Sequence, residues 1–442
     1  MRKIPHSLNT LYKKMVQSIA FIPSIMILGS FLLGVIVFYF EDYEYSLWLK
    51  NKNLEFILIS GADNARMVLG TIIGGIISLT VFSFSMVMVV LNRASTSLTP
   101  RLLPQLIAQK SHQVVLGFNM GTIVYSLILI ISIQPDKSLP ALGILFSMMM
   151  AISSLGLFVY FIHSISNSIQ VDNIMRSILR ATERQLNAIH EMHDEYKSLH
   201  ILPETKNWSY TNQITAPKTA YYFFNPTEAF IKRLQKINST MVVRSKQGGF
   251  LKQGDLLAEC DQEVDKELKT DILNYFYAGD DLSEGQDYHE NLRKISEVAV
   301  KALSPGINDP GTALIAIRLL TILFEKIVRL PGFLVYPDKE GTVRVYQLLP
   351  SLDELLASNI TPIRHYSGGS GEILSALFDF FEALLRKAGP DLFTVLNKHV
   401  IALVQSADAT IKINIDRQSI NKSIEKIRHL PYCIQEEIPF IA

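Results

Sequence analysis

The sequence is poor in the residues around which enzyme centres and disulfide scaffolds are built. Its 442 residues include two cysteines, Cys260 and Cys433, far apart and without CxxC spacing. Neither a disulfide framework nor a zinc site of the usual kind is expected; both thiols read as reduced, buried and structural. GxSxG, HExxH, a Walker loop, a dinucleotide fingerprint and a nucleophile–base pair at a specific spacing are all missing, so catalysis is not expected. The formal net charge is +1, which gives no reason to expect a nucleic-acid partner. No cofactor or metal is implied either. His190 and His193, beside Glu191 and Asp194, share a helix face but lack a third ligand and read as solvated surface. The acidic stretch Asp280, Asp281, Glu284, Asp287, Glu290 lacks EF-hand spacing and reads as a solvated loop and helix start. Lys218 lacks the neighbours of a lipoyl or biotinyl attachment site.

Charge is also missing from long runs. With 48% hydrophobic residues and a mean hydropathy of +0.22, the chain carries near-continuous apolar stretches at about 18–40, 67–91, 114–133 and 139–162. Each is close to the roughly 20 residues that cross a bilayer core. The fold class expected is therefore membrane α-helical, with four transmembrane helices, followed by a cytosolic α+β region comprising a small β module and a helical bundle. The first run is too long for a signal-peptide core and lacks a cleavage pattern, so it reads as a retained anchor. Arg2, Lys3, Lys13 and Lys14 precede it without an acid, and Arg93, Arg101 and Lys110 lie between the second and third runs, again without one. Arg176, Arg180 and Arg184 follow the fourth, whereas the loop after the first holds Glu41, Asp42, Glu44, Glu55 and Asp63. Basic residues resist translocation, so both chain ends are expected inside.

The second run departs from plain hydrophobicity. Thr71, Ser78, Ser85 and Asn92 recur every seven positions, with Thr99 continuing the series, which holds them on one slowly drifting helix face. Gly70, Gly74 and Gly75 lie beside it with a GxxxG spacing. Two readings fit: a face of small residues packed against neighbouring helices, or one wall of a water-filled path built from several copies, with Ser78, Ser85 and Asn92 towards it. No Asp, Glu, Lys, Arg or His lies deep in any span, which argues against a proton relay. Beyond Ser97, two prolines predict a break and a short amphipathic segment at the inner surface.

The expected organisation is a cytosolic tail (1–17), a transmembrane domain (18–162), a helical stalk (163–200) continuing the fourth span as one helix, a β module (205–262) and a helical domain (263–442). In the module, "QITAPKTAYYFFN" and "STMVVRSKQGGFLKQGDLLAEC" read as short strands around the helix "PTEAFIKRLQKI"; "GGFLKQGDLL" looks like the strand–turn–strand of a barrel-sandwich hybrid. Helices are then expected at about 286–303, 310–328, 352–358, 371–388, 392–404 and 409–427. Between the first two stands "LSPGINDPGTA". Pro305 and Gly306 turn the chain, and Asp309 caps a helix that begins at Pro310. The same corner offers Ser304, Asn308, Asp309 and Thr312 to a cation or a neighbouring subunit.

"FSFSMVMVVLNRASTSLTPRLL" and "ALSPGINDPGTA" together resemble signature segments of a bacterial family of predicted membrane proteins, domain of unknown function 2254, over most of the chain. That resemblance implies a multi-pass protein of the bacterial inner membrane and no particular reaction. A family member would be expected to carry a bulky apolar residue at Gly311 and an Arg-Thr pair near "DDLSEGQDYHEN". The functional expectation is a homo-oligomeric, channel-like protein in the lipid bilayer that passes ions. The alternative is a membrane-anchored sensor or scaffold whose cytosolic domain binds a ligand or protein.

Overall fold

A computed structural model describes residues 20–40, 61–97, 110–133, 139–168, 170–195, 212–279, 287–430 and 438–441. The chain divides into two compact units, Met1–Asn173 and Ile174–Ala442. The N-terminal tail, the loop 41–60, the segment 98–109 with Thr99, Arg101 and the expected amphipathic restart, the acids at 280–284 and Cys433 lie outside the described residues, as do the side chains of Arg93 and His193.

The first unit is built on α1 (Phe21–Phe40), α2 (Ala62–Ser97), α3 (Lys110–Ser132) and α4 (Ala141–Ser168). Among the described residues these four are long and apolar enough to cross a membrane. α1 lies along α3 at very close range because α3 carries its own GxxxG pair. A Cβ added at Gly117 would stand 2.9 Å from the Pro23 Cα, and one at Gly121 would collide with the Ser30 hydroxyl. Small residues of this kind let helix backbones approach in lipid, where packing rather than hydrophobicity drives association. At one end of the unit Ala65 and Leu69 of α2 pack with Tyr125 and Leu129 of α3, Ile133 just after it and Ile144 of α4. Towards the other end Val115, Phe161 and Ile165 meet Met86, Val87 and Val90. These contacts make α3 antiparallel to both α2 and α4.

The fourth span does not run on as one helix. α4 ends at Ser168 and a separate helix, α5 (Val171–Glu195), follows. At the junction, Asn173 donates to the Gln170 side chain at 3.0 Å. Nor is α5 solvated throughout. Ile174, Met175, Ile178, Thr182 and Leu186 are buried, and His190, expected on the surface, donates through Nε2 to the Lys326 carbonyl at 3.1 Å. Lys326 Nζ in turn donates to the side-chain Oδ1 of Asn187 in α5 at 3.0 Å.

In the second unit the expected strands are present: β1 (Gln213–Thr215), β2 (Ala220–Phe224), β3 (Met241–Val243), β4 (Gly249–Leu251) and β5 (Leu256–Cys260), with α6 (Glu228–Lys236) among them. Three further strands come from the stretch read as helical: β6 (Phe276–Gly279), after α7 (Lys266–Leu273), and the hairpin β7 (Phe333–Pro337) and β8 (Val343–Leu348). One sheet has the order β1-β5-β3-β8-β7 and the other β4-β2-β6. β8 pairs parallel to β3, with Met241 opposite Val345. The "LKQGD" turn, with Gly254 at φ +92°, therefore links strands of different sheets. Ile214, Tyr222, Phe224, Val243, Leu257 and Val345 fill the space between with Phe230, Leu234 and Ile272 from α6 and α7. Asp338 ties the β7–β8 turn: it accepts from the Glu340 and Thr342 amides at 2.9 and 3.0 Å and from Arg344 Nε at 2.7 Å.

The remaining helices are α8 (Tyr288–Ala302), α9 (Pro310–Ile327), α10 (Leu352–Asn359), α11 (Thr361–Tyr366), α12 (Gly371–Leu385), α13 (Phe393–Thr410) and α14 (Asn414–Arg428). The helix expected from 409 starts later, because nothing breaks α13 after Val404 and the turn falls at the extended Ile411–Ile413. Buried Leu320, Phe324, Phe380 and Phe381 make the centre of this helical layer.

Candidate functional site

α2 has two unlike long faces. Ala65, Leu69, Ile76 and Ser83 are buried at helical spacing against α3 and α4. Thr71, Ser78, Ser85 and Asn92 lie on the opposite side and are exposed, as are Gly70, Gly74 and Gly75. A Cβ built on any of those three glycines meets no atom within 4 Å, so among the described residues this chain has no helix covering that face. Close packing inside the chain uses Gly117 and Gly121 instead, a GxxxG pair written in "LGFNMG".

Each hydroxyl on the exposed face spends its proton on its own helix. Thr71 donates to the Met67 carbonyl at 2.8 Å, Ser78 to Gly74 at 3.0 Å and Ser85 to Val81 at 2.9 Å. Their lone pairs remain directed outwards, giving an uncharged line of acceptors down the helix, with Asn92 adding donors at its far end. Exposed Met67, Val81, Phe82, Met88 and Val89 flank it.

The eleven-residue corner in the second unit is a capped turn. Asp309 accepts from the Thr312 amide at 3.1 Å and from the Thr312 hydroxyl at 2.6 Å, with Pro310 at the first helical position. Ser304 Oγ donates to the Lys301 carbonyl at 2.6 Å, and Asn308 takes a left-handed φ of 49°. Pro305, Gly306, Asn308, Asp309, Pro310 and Gly311 are exposed. Both Asp309 oxygens are thus engaged within the corner. Asp287 caps α8 through the Tyr288 amide at 2.6 Å and lies 3.0 Å from His289 Nδ1. Glu290, expected in a solvated helix start, is buried beside Asn291 and Lys294. Cys260 is buried, and that burial together with Asp261 pushes its thiol up to about 12. An open groove of about 600 Å³ lies among α5, the start of α6 and β7, lined by Glu191, Thr227, Lys232, Tyr336 and Lys339.

The sequence pattern of a family described as "Predicted membrane protein (DUF2254)" matches residues 16–383. An uncharacterized protein of Mycobacterium bovis is 23% identical over 365 residues, covering 79% of this chain and 68% of that protein. An uncharacterized protein of Mycobacterium tuberculosis matches to the same extent. No solved structure matches the chain.

Proposed function

The chain belongs to the predicted membrane protein family DUF2254, and within it we propose a homo-oligomeric, channel-like protein whose copies turn the polar face of α2 towards a common axis. The observation that carries this reading is the exposure of Thr71, Ser78, Ser85 and Asn92 on the side of α2 that no other described helix of the chain covers. In a bilayer such a face meets either lipid or another protein surface. Gly70, Gly74 and Gly75 allow α2 helices to approach one another, and outward lone pairs suit hydrated cations better than anions. The basic flanks favour both chain ends inside a bacterial inner membrane, with the second unit cytoplasmic. The chemistry proposed is passage, not catalysis.

The test is reconstitution of purified protein in liposomes, with particle mass measured in nanodiscs. A closed ring with cation conductance, abolished by Ser78→Phe or Ser85→Phe, is expected. A monomeric or dimeric particle with no ion flux sinks the reading. One observation favours a second reading, a sensor or scaffold: the groove among α5, α6 and β7. There, Lys232→Glu in the full-length protein would abolish binding of a metabolite or partner while leaving any flux unchanged.

A further inference from the structure

The seam between α3 and α4 carries a polar layer that the exposed face of α2 does not explain. Ser126 and Ser147 are hydrogen-bonded across it at 2.7 Å, and the His112 and Phe161 rings stack edge-on at 5.4 Å. The two contacts are fourteen residues apart on each helix, in opposite directions, so one antiparallel register joins them. Midway, seven residues from each, stand Asn119 and Ser154. Residues seven apart on packed helices keep to the same seam, so the register places these two at one level of it. Both are 0% exposed. Asn119 Oδ1 and Nδ2 and Ser154 Oγ nevertheless lack any hydrogen-bond partner.

A third helix contributes to the same layer. Val87 of α2 packs in one cluster with Val115 and Leu157. One turn from each of these, in the same direction along the bundle, lie Ser83, Asn119 and Ser154. Ser83 is also 0% exposed with its Oγ unpartnered. Three helices thus bring four unpaired polar atoms to one level, between the layer of Val115 and Phe161 and that of Tyr125 and Leu129. Buried polar atoms of native proteins are paired with protein or with ordered water.

We propose that Ser83, Asn119 and Ser154 form an internal hydration site in each chain, holding water between α2, α3 and α4. The donor set selects the guest. Asn119 offers two donors beside its acceptor and each serine offers both, with no charge among them. A bare cation would face the Asn119 amide protons and an anion would find no positive group, whereas water gives and accepts at once. The site is internal to one chain and does not depend on the oligomeric reading.

The test uses full-length protein in lipid nanodiscs with ¹⁵N-labelled asparagine side chains. Magnetisation transfer from water to the Asn119 amide is expected, with the signal assigned by its loss in Asn119→Leu. Ser154→Ala should shift that resonance and weaken the transfer. Asn119→Leu is near in volume and should remain folded, so that loss of the signal assigns it to Asn119. A folded protein whose Asn119 amide receives no magnetisation from water, and whose Asn119 resonance is unmoved by Ser154→Ala, would overturn the proposal.

Discussion

Asp309 and Asp338 show how two carboxylates set local structure by different means. Asp309 is exposed and acts as a helix cap through Thr312. Asp309→Ala should cost about 1 kcal/mol, the usual worth of an N-cap, read as a lowered unfolding midpoint of the purified protein; Asp309→Asn should recover most of it. A larger loss, or altered assembly at unchanged stability, would mean that the corner does more than turn the chain. Asp338 has its side chain almost wholly buried against Arg344. Hydrogen bonding from Arg344, then from the Thr342 and Glu340 amides, holds its carboxyl below the usual carboxylate range. Because the folded pKa is depressed, this stabilisation is present above the unfolded carboxylate value, near 4, and is lost as pH falls through the folded one. Asp338→Asn should therefore lower the unfolding midpoint at pH 7, with the gap from the unmodified protein closing towards pH 3. A gap that stays constant over that range would contradict the assignment.

Among the spanning helices, the two GxxxG pairs have opposite surroundings. Gly121 stands against Ser30 and the Met26 backbone, whereas Gly74 has open space. Gly121→Leu should force α1 from α3 and sharply reduce folded yield. Gly74→Leu should leave the stability of an isolated chain within about 0.5 kcal/mol, as for surface positions free of special contacts. Equal losses in a detergent-stabilised monomer would refute that contrast. The contrast also marks what sequence could and could not supply. Runs of about 20 apolar residues have no alternative to crossing or deep burial, so all four spans were legible, as were strands announced by "TAYYFFN" and "STMVV" and a cap announced by "NDP". Which of two glycine pairs meets a neighbour depends on where another helix lands, which periodicity does not encode. The β7–β8 hairpin was missed because its strands lie between strong helical patterns, and only the parallel pairing with β3, about 100 residues away in sequence, makes them strands. The polar layer of Ser83, Asn119 and Ser154 went unread for a related reason: single Ser and Asn residues in apolar runs become a group only when three helices bring them level.

At the scale of the whole molecule, the chain resolves into a membrane unit and a second unit with its own core, and the position of α5 decides where the second can be cut. Composition placed a stalk at 163–200 and a β module from 205, a boundary that would leave α5 outside the folded body. The bonds run otherwise. His190 and Asn187 hold Lys326 of α9, and Glu183 adds an ion pair to it at 3.6 Å. Leu186 has no exposed surface, and burying one leucine fully is worth about 1.5–3 kcal/mol. A fragment spanning 171–442 should consequently be soluble and unfold in one cooperative transition. A fragment spanning 205–442 would lose the contacts of α5 to Lys326 and the buried side chains Ile178, Thr182 and Leu186; it should unfold at a markedly lower temperature or aggregate. The two proteins differ only by α5 and the short segment after it, so thermal melts at matched concentration read the contribution of that helix directly. Equal midpoints would return α5 to the role of a free stalk and leave the Lys326 contacts without energetic weight.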